Sequence, residues 1–318
     1  MTWTKKLSDR MVKGVEAAVG RALDRDRRRL RAKLKSLEGE RAWLREKILF
    51  LERQNARQFF STTTYVGDHT AWTWLTSNQR IFVDTRDLGI GMHLMARGFW
   101  EKSTNEVFRS LLSPTDTVVD VGAHYGYHTL TVAHLGVPKG RVIAIEANPR
   151  LYGLLRKSVR INQLRDRVDV VHCALSDRDG ELVFVCPHDD PALGHVQGPD
   201  ENLDDLDGEA VPVPVRTLDS VCAGVDVDFI KVDVEGHESQ VFSGGRKTLA
   251  RPEIKLLIEY APAFIERQQT LEEFHAQLRD LGFAHVYEIR GTKLDATRFE
   301  KLSEDRSLRN LVLAKHLL

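Results

Sequence analysis

The chain has 318 residues, 42% of them hydrophobic and 29% charged, with no formal net charge at pH 7. That composition has room for one large domain, or one domain with an accessory segment, and for a sizeable core. No stretch approaches the roughly 18 apolar residues of a membrane span, and residues 1–20 lack the apolar centre of a signal peptide. The three cysteines, Cys173, Cys186 and Cys222, are scattered without a CxxC pair. Their spacing excludes a disulfide framework and a zinc knuckle, so the expectation is a soluble, cytoplasmic protein.

The neutral total hides an asymmetry. Residues 1–58 carry 17 Lys and Arg against 8 Asp and Glu, which leaves 29 against 38 for residues 59–318. A basic N-terminal arm of this kind suits contact with an anionic surface. Residues 1–20, with Trp3, Leu7, Met11, Val15 and Val19 beside Lys5, Lys6 and Lys13, have a narrow apolar face. They read as a frayed terminus or a weak membrane-surface helix. Leucine then recurs at strict sevens, at Leu23, Leu30, Leu37, Leu44 and Leu51, with Arg27, Leu34, Arg41, Ile48 and Asn55 four residues on. This heptad predicts a coiled-coil helix about 50 Å long, in a homo-oligomer that is a dimer before a trimer.

Residues 59–113 read as a connecting, substrate-side segment: short strands within 71–87, then helical turns at MHLMARGFW and NEVFRSLL. From residue 114 strands and helices alternate in the rhythm of a parallel α/β fold. TVVDVG (117–122), RVIAIEA (141–147), VDVVHCALS (168–176), DFIKVDV (228–234) and IKLLIEY (254–260) are the expected buried strands. FAHVYEI and LRNLVLAKH are the last two, and helices are expected over 126–135, 151–164 and 271–281. Residues 186–210 are polar, acidic and turn-rich, which predicts an inserted loop over the carboxyl edge of the sheet, ordered by a ligand.

Three motifs carry chemistry. In VVDVGAHYGYHTL (118–130) a strand runs into a glycine turn and a helix, the place where open α/β sheets bind nucleotides. Gly122 permits a sharp turn, and Gly126 is expected to remove a Cβ where a ligand comes close. The spacing D-x-G-x-x-x-G lacks the third glycine of a dinucleotide fingerprint, and Asp120 offers a carboxylate suited to a zwitterionic amino-acid tail. Glu146 closes the next strand, 26 residues after Asp120, where an acid accepts both hydroxyls of a ribose. Finally DFIKVDVEGHE (228–238) ends a buried strand with Asp233, Glu235, His237 and Glu238. Lys231 inside that strand needs a carboxylate partner. The cluster suits a general base, with Asp233 or Glu235 before His237, and its oxygens could instead hold a divalent cation, although no clear ligand motif marks one. His124, Tyr125 and His128 are substrate-side alternatives.

Taken in order, VVDVGAHYGYHTL, VIAIEANPRLYGLLRKSVRINQL, VVHCALSDRDGEL, VPVRTLDSV, DFIKVDVEGHESQVFSGG and LLIEY resemble the FkbM-type methyltransferases over roughly residues 81–262. The resemblance implies a class I methyltransferase, a Rossmann-like α/β fold with a mostly parallel seven-stranded sheet, behind the N-terminal coiled coil. It implies S-adenosylmethionine as cofactor, with the methionine tail near Asp120, Gly122 and Ala123, the ribose on Glu146, and the adenine near Ala174, Leu175 and Ser176. It also implies O-methylation, with the Asp233–Glu235 strand end facing the acceptor. The coil and its charge favour a sugar hydroxyl of a cell-surface polysaccharide or lipid-linked glycan, modified at the inner face of a membrane or beside a glycan-assembly protein. A small natural product as acceptor, and a coiled-coil scaffold with a secondary methyltransferase domain, are the alternatives. Nucleic acid is not expected, since residues 59–318 are acidic and lack an aromatic–basic platform.

Overall fold

The computed structural model describes residues 63–187, 194–197 and 208–318, together with Leu30, Lys33, Leu34, Lys35, Leu37, Arg41, Leu44, Arg45 and Lys47. The chain divides into two units, Met1–Arg57 and Gln58–Leu318. In the first, every described residue is helical and exposed. Leu30, Leu34, Leu37 and Leu44 are 66%, 62%, 53% and 52% exposed. The remaining heptad positions, Leu23, Arg27, Ile48, Leu51 and Asn55, and the whole of 1–20 lie outside the described residues. Among the described residues no helix is long and apolar enough to cross a membrane.

The second unit opens with an antiparallel sheet of β1 (Thr64–Gly67), β2 (Thr70–Trp74) and β3 (Arg80–Asp84). Asp68 and His69 both have φ of 49°, the left-handed pair that a tight hairpin turn demands. Helices α1 (Ile90–Arg97) and α2 (Lys102–Ser110) follow, then β4 (Thr117–Val121), α3 (Tyr127–Thr131), β5 (Arg141–Glu146), α4 (Pro149–Ile161) and β6 (Val168–His172). Next come β7 (Ala174–Leu175), β8 (Gly180–Pro187), β9 (His195–Val196), β10 (Gly208–Arg216) and β11 (Phe229–Val232). The chain ends with α5 (Glu238–Ser243), β12 (Lys255–Tyr260), α6 (Leu271–Asp280), β13 (His285–Arg290), β14 (Lys293–Thr297), α7 (Phe299–Glu304) and β15 (Arg309–Ala314).

The main sheet has the order β14-β13-β15-β12-β11-β4-β5-β6. β6, β5, β4, β11 and β12 are parallel, and β15 enters antiparallel between β12 and β13. Alternation along the central strands divides the core: Val119, Val121, Ile230, Val232, Leu256 and Ile258 face one layer of helices. Val118, Val142, Ala144, Phe229 and Leu257 face the other. Strands buried on both faces read as nearly continuous apolar runs, which is why these were legible.

Several expectations need correction. The sheet has eight strands rather than seven, because β14 pairs with β13 across a turn at Gly291. Its sequence KLDAT is largely exposed, so it carries no apolar alternation. The third strand, expected over 168–176, breaks at Cys173: β6 pairs with β5 up to His172, and Ala174 pairs instead with Val215 of β10. The helix expected over 126–135 is α-helical only to Thr131 and continues as a π turn over Val132–Gly136. The ends of the expected loop at 186–210 belong to β8 and β10, and His195–Val196 forms a strand on β8. β7, β10, β8 and β9 make a second sheet.

Candidate active site

The carboxyl ends of β4, β5 and β11 converge on a cleft of about 820 Å³, counting its open mouth. Its walls come from the glycine turn (Gly122, His124), the end of β5 (Glu146, Ala147, Asn148), β7 and the second sheet (Ala174, Leu175, Phe184, His195), and the loop after β11 (Asp233, Glu235, His237). A smaller cavity adjoins it, sharing Ile90, Gly122, His124 and Asp233, and is lined also by Trp100, Tyr125, His128 and Lys231.

The turn after β4 is forced by crowding as well as by a left-handed backbone. Gly122 has φ of 73°, and a Cβ there would lie 1.8 Å from the Asp233 carbonyl oxygen. Glycine at this position lets the ends of β4 and β11 close together. Gly122 and Ala123 donate their N–H groups to the Ile145 carbonyl, each at 3.0 Å. Gly126 lines neither cavity, and its Cβ would meet Leu155 Cδ1 at 2.2 Å, a close approach to helix α4. Asp120 is buried and does not line either cavity. It accepts from the Thr129 hydroxyl at 2.5 Å, and its other oxygen, with no hydrogen-bond partner among the described residues, lies 3.9 Å from Lys231 Nζ. Lys231 finds its carboxylate in Asp233, at 2.9 Å.

Glu146 sits at the end of β5 with both oxygens held by backbone, accepting from His124 N–H at 2.7 Å and Asn148 N–H at 2.8 Å. Burial pushes its pKa up to about 7 despite those bonds. Asn148 then caps α4 by accepting from Arg150 and Leu151 N–H, so the strand-end acid and the helix start form one rigid corner. Across the cleft the Ser176 hydroxyl lies 3.1 Å from His237 Nε2. That contact ties β7 to the loop after β11, and burial holds His237 below its ordinary pKa.

The loop after β11 concentrates charge. Glu235 has φ of 54° and precedes Gly236 at 97°, a strained backbone that costs about 1–3 kcal/mol and persists where the surroundings enforce it. Oxygens of Asp233, Glu235 and Glu259 lie within 4.8 Å of one another. Burial, and then the neighbouring Asp233 and Glu235, push Glu259 up to about 8. Glu235 is raised too, by burial before Asp233. Glu238 is not part of this group: it is buried and accepts from Val234 and Gly236 N–H, fastening the loop to α5. In the smaller cavity His124 Nε2 and His128 Nδ1 have no hydrogen-bond partner among the described residues.

Residues 120–289 match the family described as the Methyltransferase FkbM domain, more than half of the chain. The chain belongs to the FkbM methyltransferases. It is 29% identical over 167 residues to the 2-O-methyltransferase NoeI of Sinorhizobium fredii, covering 47% of this chain and 67% of that one. It is also similar to the FkbM methyltransferase structure of Methylobacillus flagellatus KT, with 19% identity and a TM-score of 0.44. That match covers 64% of this chain and only 44% of the other. M. jannaschii TYW2 in complex with AdoMet is 16% identical at a TM-score of 0.39, with 79% of this chain and 87% of that one covered.

In this FkbM methyltransferase the cleft gathers Gly122, Glu146, Ala174, Leu175, Asp233, Glu235 and His237, while Ala123 lines only the smaller cavity. Asp120, Gly126 and Ser176 stand behind the walls. Asn148, Cys173, Phe184, His195 and Ile90 were not anticipated as lining residues. Glu259 lines neither cavity but joins Asp233 and Glu235 in the acid cluster, and it was not anticipated either, although a lone acid near the end of the apolar run IKLLIEY was a readable sign.

Proposed function

We propose that this methyltransferase moves a methyl group from S-adenosylmethionine to a sugar hydroxyl, on a cell-surface polysaccharide or a lipid-linked glycan. The observation that carries the cofactor is the pairing of a cleft closed by the buried Glu146 carboxylate with a side cavity of unpartnered polar atoms. An elongated ligand with a ribose in the middle and a charged tail at one end satisfies both. Glu146 retains lone pairs for ribose hydroxyls, and Ala174 and Leu175 give the adenine an apolar wall. Gly122, Ala123, Tyr125 and His128 border the space for the amino-acid end, with Asp120 and Lys231 beneath it. Bound there, the cofactor supplies an electrophilic methyl carbon.

The chain's own residues position the acceptor and take its proton. Positioning supplies up to roughly 7–11 kcal/mol in favourable bimolecular cases. Glu235 is the base we assign, its side chain held in the cleft by a backbone that an unconstrained glutamate would avoid. Asp233 shares that wall but is tied to Lys231, and His237 is turned toward Ser176, so they support the base rather than replace it. The sugar acceptor rests on the likeness to a 2-O-methyltransferase and on the N-terminal unit. That unit's exposed leucines suit self-association, and its basic surface suits an anionic membrane.

Calorimetric titration with S-adenosylhomocysteine, beside NAD, tests the cofactor. Saturable binding of the first alone is expected; binding of NAD alone would refute the reading. Labelled methyl transfer into neutral oligosaccharides, lipid-linked glycans and polyketide alcohols then tests the acceptor, and label confined to the last would refute the sugar.

A further inference from the structure

The surroundings of Lys231 hold more negative charge than one ammonium can balance. Asp233 is 2.9 Å away and Asp120 3.9 Å. Glu101, Glu259 and Glu235 also act on this lysine or on its carboxylate partners. Glu101 starts α2 with φ of 35° and is held by Asn310 and faced by His128 Nε2 at 3.6 Å. Asn310 is the cross-strand partner of Glu259, so the acids line one continuous wall over β4, β11, β12 and α2. Glu101 meets further opposite charge from His128, and Glu235 from His195 and Arg267, whereas Lys231 is the cation that acts on Glu259. His124 stays neutral because burial outweighs the nearby Asp87 and Asp233. Glu259 crowds the carboxyls of Asp233 and Glu235 while Lys231 is already bonded to Asp233, so these three acids are not all ionised together without a further positive charge. His128 Nδ1, without a hydrogen-bond partner among the described residues on a side chain only 7% exposed, lines the cavity that Asp233 and Lys231 also line and marks a ligand's place beside them.

We propose that Glu259 stores a proton for this wall: it holds one when no cation is bound, releases it when the sulfonium cofactor binds, and takes up the acceptor's proton as the methyl leaves sulfur. The proposal rests on the cofactor assigned above. Its chemistry balances within the site. The acceptor oxygen forms its bond to the methyl carbon while the carbon–sulfur bond breaks and its electron pair stays on sulfur. One positive charge disappears at sulfur, and the hydroxyl proton, passed through Glu235 to Glu259, restores it. The wall therefore has the same net charge before and after transfer, and no ion needs to enter. Oxygens of Glu259, Asp233 and Glu235 within 4.8 Å of one another allow the proton to be shared. Glu259's rise to about 8 leaves it mostly protonated at neutral pH when alone.

The test is titration calorimetry of the full chain at pH 7 in EDTA, repeated in two buffers of different ionisation enthalpy, which counts protons released per ligand bound. S-Adenosylmethionine is expected to release close to one proton and S-adenosylhomocysteine, uncharged at sulfur, close to none. In Glu259→Gln the difference between the two ligands disappears while homocysteine-ligand affinity stays within a few-fold. In the unaltered protein the difference also fades above about pH 9, where Glu259 has already ionised. Equal release for both ligands, or a difference that survives the substitution or the higher pH, overturns the proposal. A protein that binds neither ligand overturns the cofactor assignment instead.

Discussion

At the scale of single residues, the site separates what folds the chain from what acts. Glu235 is held at φ of 54°, so Glu235→Gln keeps the shape and removes the basic oxygen. Turnover is expected to fall about 10²–10⁴-fold, the usual worth of a general base, with S-adenosylhomocysteine affinity within a few-fold; unchanged turnover would return the role to Asp233 or His237. Glu235→Gly relaxes the backbone and should not lower the melting temperature, although turnover is expected to fall as far. Glu146→Gln acts on binding instead. Losing a charged partner for ligand hydroxyls costs roughly 1.5–3 kcal/mol, or about 10–100-fold in Kd by titration. Buried carboxyls also set the pH response. Glu146 and Glu238 are pushed up to about 7 and Glu259 to about 8, in each case mainly by burial. Each binds a proton in the folded chain that it loses near pH 4.5 when unfolded, so folding gains below the unfolded pKa and loses that gain as pH rises through 7 and 8. His237 and His275 are lowered by burial and oppose this trend only below about 6.5. Thermal unfolding of the ligand-free protein should therefore move down between pH 6.5 and 8.5, and by less in Glu259→Gln.

Between elements, the two glycines of the first motif make different joints. Gly122 faces the backbone oxygen of Asp233 and has nothing flexible to push aside, so Gly122→Ala should prevent β4 and β11 from closing and leave little folded protein. Gly126 faces a side-chain methyl of Leu155. Gly126→Ala should be destabilised, and Gly126→Ala with Leu155→Ala should regain part of the loss despite the new cavity and the residual left-handed strain; melting temperatures of the three variants decide this. The same contrast shows what the sequence could reveal. D-x-G-x-x-x-G marked a turn, but the partner of each glycine comes from residues 29 to 111 positions away, beyond any local pattern. Parallel strands were legible because both faces are apolar, and Glu146 and Asp233 because each ends such a strand. β14 and β9 were not, because one is an exposed polar edge and the other two residues long. Glu259 was passed over as part of a strand, since its importance comes from lying across the sheet from Asp233 and Glu235.

For the whole molecule, the question is what the N-terminal unit does for an enzyme whose described cleft-lining residues belong to the unit Gln58–Leu318. Leu30, Leu37 and Leu44 stand seven apart on helical backbone, and with Leu34 they are more than half exposed. Burying apolar surface is worth about 25 cal/mol per Å², and a second copy offers the same leucine spacing in register. The strongly basic balance of residues 1–58 opposes close pairing at low salt and is relieved by an anionic surface. In the proposed function, self-association and membrane contact would reinforce each other: pairing would double the basic charge presented to anionic lipid, and lipid would screen the repulsion between paired copies. Two measurements follow. Equilibrium sedimentation of the full chain should give a dimer that tightens as salt is raised, and Leu37→Asp with Leu44→Asp should give a monomer with unchanged S-adenosylhomocysteine affinity. Vesicles containing anionic lipid should retain the dimer at about 0.1 M salt and release it at about 0.5 M, while the monomeric variant binds more weakly at both. A monomer at every salt concentration would assign the leucines to another partner, and equal retention of the two forms would separate membrane contact from pairing.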